Sequence, residues 1–257
     1  MSQEGLPMSA PSFFNSAHGT KIAYYKTPGK GPGVVFMGGF KSDMEGGKAL
    51  ALEAWCRKTG RAFVRFDYQG HGQSSGKFRD GTIGLWAKDA LAVIDNLTEG
   101  PQVLVGSSMG GWIAMLAARA RPARVKGLVG IAAAPDFTVR MWNDDFDEAT
   151  RQEVLEKGFM ERPCDYGDDP YIITQALIED GWHNRVIAGP LNLDIPVRLI
   201  QGTEDADVPW QTAQLIADKI TGDDVEIILV PGGDHRLSRD IDLKRLVRVV
   251  NQVTRKI

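Results

Sequence analysis

Gln102-Val103-Leu104-Val105-Gly106-Ser107-Ser108-Met109-Gly110-Gly111-Trp112 is the stretch on which the fold turns. An apolar run of strand length leads in, a helical run from Trp112 leads out, and between them stands the pentapeptide Gly106-Ser107-Ser108-Met109-Gly110. Gly-x-Ser-x-Gly between a strand and a helix is the nucleophile-elbow pattern. Its sharp turn pushes the middle serine hydroxyl, here that of Ser108, out over the sheet edge. The flanking glycines allow the turn, since a Cβ at either position would collide with the neighbouring strand or helix. Glycine fills 29 of 257 positions. Chance would therefore place such a pentapeptide in roughly one chain in eight, and its surroundings must decide.

Those surroundings alternate strand and helix. Phe13-Phe14 and Lys21–Lys26 are expected to form an antiparallel hairpin around His18-Gly19, followed by a buried strand at Gly33–Met37 that ends in Gly38-Gly39. Helical spacing follows at Ala49–Lys58, a strand at Ala62–Phe66, and an amphipathic helix at Leu85–Leu97. Beyond the elbow come a helix at Gly111–Ala120 and strands at Val125–Ile131, Val197–Ile200 and Val225–Val230. The helices Gln211–Ile220 and Leu243–Val253 complete the series. This rhythm predicts an α/β fold, a mostly parallel central sheet with helices on both faces.

Residues 136–189 break the rhythm. No β-rich run is evident there, and two helix-like stretches are expected near Glu148–Gly158 and Tyr171–Asp180. The segment carries 13 acidic against 5 basic side chains and a large share of the aromatics, including Phe137, Trp142, Phe146, Tyr166, Tyr171 and Trp182. A helical cap inserted over the sheet fits best, because insertions at strand ends of such scaffolds usually build the binding site. The expected organisation is a single domain over residues 12–257, a cap insertion at about 136–189 and a flexible N-terminus at 1–11.

With 43% apolar residues, 25% charged residues and a formal charge of −3, the chain has the make-up of a soluble globular protein. It gives no reason to expect nucleic acid or an anionic membrane as partner. Cys56 and Cys164 show neither metal spacing nor a disulfide framework and read as idle thiols in a reducing compartment. Met1–Pro11 has neither the apolar stretch of a secretory signal nor the arginines of a transit peptide, so a cytoplasmic location is expected. No segment has the ~18 apolar residues of a membrane span. The aspartates lack the spacing of a calcium loop, no Cys/His cluster exists, and no nucleotide-binding glycine loop follows the first parallel strand, so no metal and no cofactor is expected.

A serine hydroxyl barely ionises at neutral pH and needs a histidine to take its proton and a carboxylate to orient that histidine. In the elbow pattern the chain order is serine, acid, histidine. Of His18, His71, His183 and His235, only His235 follows both Ser108 and an acid-bearing loop. That loop reads Gly202-Thr203-Glu204-Asp205-Ala206-Asp207-Val208-Pro209, with Asp205 the favoured acid, Asp207 the fallback and Glu204 behind both. His71, in Asp67-Tyr68-Gln69-Gly70-His71-Gly72, is expected to pack or hydrogen-bond beneath the site. His183 is at most a substrate contact, and His18 is a hairpin-turn residue without a role. Backbone N–H groups of Met109, at the start of its helix, and of Phe40, in the loop Gly38-Gly39-Phe40, are the expected oxyanion donors.

The elbow, Asp205 before Val208-Pro209 and the late His235 together resemble the α/β-hydrolase superfamily. So does Phe66-Asp67-Tyr68-Gln69-Gly70-His71-Gly72-Gln73-Ser74, which is similar to the loop after that fold's fourth strand. The run Gly100–Trp112, Val208-Pro209-Trp210 and Asp234-His235-Arg236 further resemble the family of abhydrolase domain-containing protein 10 and its bacterial relatives, from about Lys21 to the C-terminus. The resemblance implies an α/β-hydrolase fold and a serine esterase or thioesterase acting on acylated proteins or small-molecule esters, with Ser108, Asp205 and His235 as the triad. Carbon–carbon bond hydrolysis, peptidase activity and a non-catalytic binding module are the alternatives on the same scaffold.

Overall fold

A computed structural model describes residues 10–162 and 170–257. Strands β1 (Ser12–Asn15) and β2 (Lys21–Thr27) form the expected antiparallel hairpin, and β2 pairs antiparallel with β4 (Arg61–Phe66). From there the sheet is parallel: β4, β3 (Lys30–Met37), β5 (Gln102–Ser107), β6 (Val125–Ile131), β9 (Val197–Gly202) and β10 (Val225–Val230). The eight-stranded order is β1-β2-β4-β3-β5-β6-β9-β10.

Strand β3 is the pivot, with β4 on one side and β5 on the other. The chain therefore leaves β3 one way through helix α1 (Gly47–Thr59) and returns past it through α2 (Ile83–Leu97) to β5. Reversal of winding direction opens a crevice at the carboxyl ends of β3 and β5, the place where open parallel sheets bind ligands. The loop after β3 and the elbow after β5 meet there.

Period-two alternation places each strand between two apolar layers. On β3, Val35 and Met37 join the core on the side of α2 and α3 (Met109–Ala120), whereas Val34 and Phe36 face α1 and α8 (Asp240–Thr254). On β5, Leu104 goes one way and Val103 and Val105 the other. Both faces of the central strands are buried, which is why these segments read as unbroken apolar runs. Helix α7 (Gln211–Lys219) adds Ala213 and Ile216 to the α2–α3 layer.

Segment 136–189 departs from the expectation of helices alone. Helix α4 (Phe137–Arg140) runs into a π turn at Met141–Asp145, and α5 (Glu148–Lys157) then forms between an Asp147 cap, which accepts the Thr150 N–H at 2.8 Å, and left-handed Gly158. A two-stranded antiparallel hairpin follows, β7 (Phe159–Arg162) against β8 (Tyr171–Thr174), with Met160 opposite Ile173. The expected helix at Tyr171–Asp180 thus starts later, as α6 (Gln175–His183). Branched Ile172, Ile173 and Thr174 favour the extended chain. The Thr174 hydroxyl then accepts the Leu177 N–H at 3.1 Å, so the helix begins only after it. Helices α4 and α6 cross so closely that a Cβ on Gly181 would strike the Thr138 hydroxyl.

Tyr166, Cys164 and most of the N-terminal stretch expected to be flexible lie outside the described residues. Cys56 is buried in the layer between α1 and β4, and burial pushes its thiol up to about 12, so it remains a protonated core residue. No helix among the described residues is long and apolar enough to cross a membrane.

Candidate active site

The turn from β5 into α3 holds Ser108 at φ 54°, ψ −120°, a conformation L-residues rarely adopt. Three backbone hydrogen bonds pin it: its N–H donates to Ile131 O at 2.9 Å, and its carbonyl accepts the N–H groups of Gly111 at 2.9 Å and Ala134 at 3.1 Å. Both glycines are needed. A Cβ on Gly106 would run into the Gly110 carbonyl, and one on Gly110 into the carbonyls of Met37 and Gly38. The Ser108 hydroxyl lies 3.0 Å from His235 Nε2.

His235 stands on the loop after β10, and its Nδ1 is 2.9 Å from Asp205 Oδ2 and 3.1 Å from Oδ1. Asp205 stands on the loop after β9 with its side chain fully buried. Its Oδ1 accepts the N–H groups of Asp207 at 3.0 Å and Val208 at 2.8 Å, and its Oδ2 accepts Gln201 Nε2 at 2.8 Å. Burial alone would raise its pKa. The His235 contact and the two backbone N–H donors outweigh burial and hold the carboxyl below its ordinary value. An ionised acid opposite Nδ1 fixes the imidazole tautomer with Nδ1–H toward Asp205 and a bare Nε2 toward Ser108. Glu204 is exposed, and the Asp207 carbonyl is taken by Arg140 at 2.8 Å.

The two loops are stitched together. Thr203 N–H donates to Val230 O at 3.0 Å, Glu204 N–H to Gly233 O at 2.9 Å, and Gly232 N–H to the Thr203 hydroxyl at 2.9 Å. Gly202 lies so near Gly233 that a Cβ there would overlap its carbonyl.

Asp205, Asp207 and His235 also form a group whose side-chain atoms lie within 4.8 Å of one another, the spacing a metal would need. The Asp205 oxygens are already engaged by Gln201, Val208, Asp207 and His235, and His235 Nε2 faces Ser108. That donor set suits a hydrogen-bond relay better than a cation.

Opposite Ser108, the loop Gly38-Gly39-Phe40 approaches so closely that a Cβ on Gly39 would sit 3.4 Å from the Ser108 Cβ. Phe40 and Met109 line the same cleft as Ser108 and His235, a cavity of about 770 Å³. Its apolar wall comes from Phe40, Phe137, Met141, Tyr171, Ile173 and Val208. The Phe40 ring makes edge contacts with Phe78, Trp86 and Phe137 at centroid distances of 4.8, 5.8 and 5.8 Å. Segment 136–189 thus supplies much of the cleft wall.

The remaining histidines lie elsewhere. His71 is buried, and its Nε2 accepts the Lys41 N–H at 3.1 Å. His183 bonds the Glu179 carbonyl through Nδ1 at 2.8 Å within α6. His18, expected to have no role, is tied instead to fully buried Asp89 at 2.7 Å, a pairing 71 residues apart that sequence spacing does not reveal. Gln201 was also missed. Its signal is a polar residue closing the strand Val197–Ile200, where a buried amide needs a partner.

A family model described as serine aminopeptidase, S33 (Hydrolase_4) matches residues 34–159. The chain is 40% identical over 247 residues, 96% of this chain and 80% of the relative, to the palmitoyl-protein thioesterase ABHD10, mitochondrial, of Bos taurus. Among solved structures it is similar to alpha/beta hydrolase domain-containing protein 10 from mouse, at TM-score 0.90 and 39% identity over 96% of this chain and 99% of that one. It is equally similar to a putative hydrolase from Agrobacterium vitis S4, at TM-score 0.90 and 39% identity over 97% and 100%. The mammalian ABHD10 relatives all carry mitochondrial in their names. That finding corrects the expected cytoplasmic location.

Proposed function

Because the chain belongs to the α/β-hydrolase family, in its ABHD10-like branch, and is a hydrolase, we propose that it cleaves carboxyl-ester or thioester bonds of acylated substrates through Ser108, His235 and Asp205. The observation that carries this reading is the unbroken hydrogen-bond run from Ser108 Oγ to His235 Nε2 at 3.0 Å and from His235 Nδ1 to Asp205 at 2.9 Å. His235 Nε2 takes the hydroxyl proton as Ser108 Oγ attacks the acyl carbonyl. Asp205 holds the tautomer and stabilises the imidazolium. The backbone N–H groups of Phe40 and Met109 receive the developing oxyanion, a contribution of about 3 kcal/mol for each donor in comparable sites.

Collapse of the tetrahedral species breaks the acyl–oxygen or acyl–sulfur bond, and His235 returns its proton to the departing group. The acyl group is then an ester on Ser108, and water activated by His235 releases it as the acid. Segment 136–189 acts as the cap. Its Phe137, Met141, Tyr171 and Ile173 give the cleft an apolar side suited to an acyl chain. The likeness to a palmitoyl-protein thioesterase supports thioesters within this class.

The test compares wild-type protein with Ser108→Ala on p-nitrophenyl esters, acyl-thioesters and peptides, with fluorophosphonate labelling in parallel. Ester or thioester turnover and labelling are expected in the wild type and absent from the variant. Turnover confined to peptides, or an active Ser108→Ala protein, refutes the proposal.

A further inference from the structure

His71 is the one buried histidine among the described residues, and the triad chemistry does not use it. Its surroundings fix what it does. Nδ1 lies 3.2 Å from the Gln69 carbonyl, which only accepts, so Nδ1 carries the proton. Nε2 lies 3.1 Å from the Lys41 N–H, which only donates, so Nε2 is bare. The imidazole must therefore be neutral, and burial pushes its pKa down to about 4, in keeping with that state.

Lys41 directly follows Phe40 and is held at φ 56°, in the left-handed region. For a lysine that conformation is unfavourable and needs an outside contact to hold it. His71 supplies one. The imidazole is itself gripped by rings that also grip Phe40: Phe78 and Trp86 both stand 5.1 Å from His71, and 4.8 and 5.8 Å from Phe40. Gln69 is held in turn, its N–H donating to Asp89 Oδ2 at 2.8 Å and its carbonyl also accepting Trp86 Nε1 at 3.1 Å.

We propose that His71 is a positioning residue for the oxyanion loop: as a neutral hydrogen-bond acceptor it clamps the Phe40–Lys41 peptide and so aims the Phe40 N–H at the acyl oxygen beside Ser108. The proposal rests on the serine-hydrolase reading. It assigns His71 no contact with substrate. Without the clamp, Lys41 relaxes out of the left-handed region and the Phe40 donor loses its aim, while the apolar walls that hold the acyl chain remain.

The experiment uses the full chain and two variants. His71→Phe keeps an aromatic side chain in the ring cluster and removes the acceptor, whereas His71→Gln restores an acceptor near the former Nε2. Loss of a whole oxyanion donor typically costs a factor of about 100–1,000 in kcat. A misaimed donor in His71→Phe is expected to lower kcat by about 10–100-fold with KM within about threefold of wild type. His71→Gln is expected to recover most of that loss. Hydrogen exchange supplies a readout besides turnover: amides of the 38–44 segment exchange faster in His71→Phe, while those of Gln102–Ser107 do not.

Wild-type kcat in His71→Phe, equal losses in both variants, or unchanged exchange at 38–44 overturns the proposal. A wild type that neither turns over acyl substrates nor labels at Ser108 instead refutes the serine-hydrolase reading, and the exchange comparison then still decides whether His71 clamps the loop.

Discussion

Replacing Ser108 by glycine should make the protein more stable than replacing it by alanine, although both variants are expected to be inactive. Each substitution removes the hydroxyl and its 3.0 Å contact with His235, so that loss cancels in the comparison. Neither removes a helix cap, because the Ser108 side chain makes no capping hydrogen bond at the start of α3. What differs is the backbone. At φ 54°, ψ −120°, a residue with a Cβ bears about 1–3 kcal/mol of strain that glycine does not. Glycine gives back about 0.4–1 kcal/mol through the greater freedom of the unfolded chain. The balance favours Ser108→Gly over Ser108→Ala by about 1 kcal/mol (between about 0 and 2.6), or about 2 °C in Tm for a chain of this size.

Scanning calorimetry on the two variants, with urea unfolding as a second measure, reads the difference directly. Ser107→Gly is the control. It lies one residue earlier, in β5 with ordinary backbone angles, and there glycine should lower stability by about 0.5–1 kcal/mol. A Ser108→Gly protein that melts at or below Ser108→Ala would refute the claim that the elbow is strained.

Two further outcomes follow from the geometry. Asp205→Asn keeps the shape of the side chain but loses the charge that fixes the His235 tautomer; steady-state kinetics should show kcat lowered by about 10³–10⁴-fold with the fold intact, and a loss under tenfold would count against Asp205 as the orienting acid. Acid should destabilise the wild type through His71, whose pKa falls from an ordinary 6.5 to about 4 on folding. Between those values the unfolded chain binds a proton that the folded protein does not, so stability is present above about pH 6.5 and is lost as pH falls toward 4. From pH 7 to pH 4.5 this amounts to about 2–3 kcal/mol. The groups facing His71, Tyr68 at its ring and Asp89 through Gln69, are shared by His71→Phe. Urea unfolding of both proteins therefore isolates the imidazole, and parallel pH dependences would show that it is not buried neutral.

Much of the fold could be read from the chain because its strands are buried on both faces. Val34–Met37, Val103–Val105 and Leu128–Ile131 have no polar face to obscure the pattern, and the helices between them show their spacing plainly. The elbow could be read for a different reason: its glycines answer a local demand of the turn. Residues 171–174 are the exception: helical spacing runs back over the branched Ile172, Ile173 and Thr174, whose preference for the extended chain is realised only by pairing with Phe159–Arg162. Other contacts were hidden because they join residues far apart in sequence. His18 meets Asp89, His71 meets Lys41, and Arg65 on β4 bonds buried Glu53 on α1 at 2.8 Å. None of these has a periodicity to detect. The helical run at 175–183, by contrast, needed only its Thr174 cap to be placed correctly.

The stitching between the loops of Asp205 and His235 bears on how this protein can be altered. Thr203, Glu204 and Gly232 bind the two loops edge to edge, and Gly202 leaves no gap for either to slide past the other. An insertion in one loop is therefore felt by the other within a single residue's reach. Attempts to widen the cleft by lengthening the 203–209 turn would displace the imidazole together with the carboxylate. Grafting either loop alone from a relative would import half of a matched part. The two behave as one interchangeable unit, and the freedom to diversify lies across the cleft, in segment 136–189.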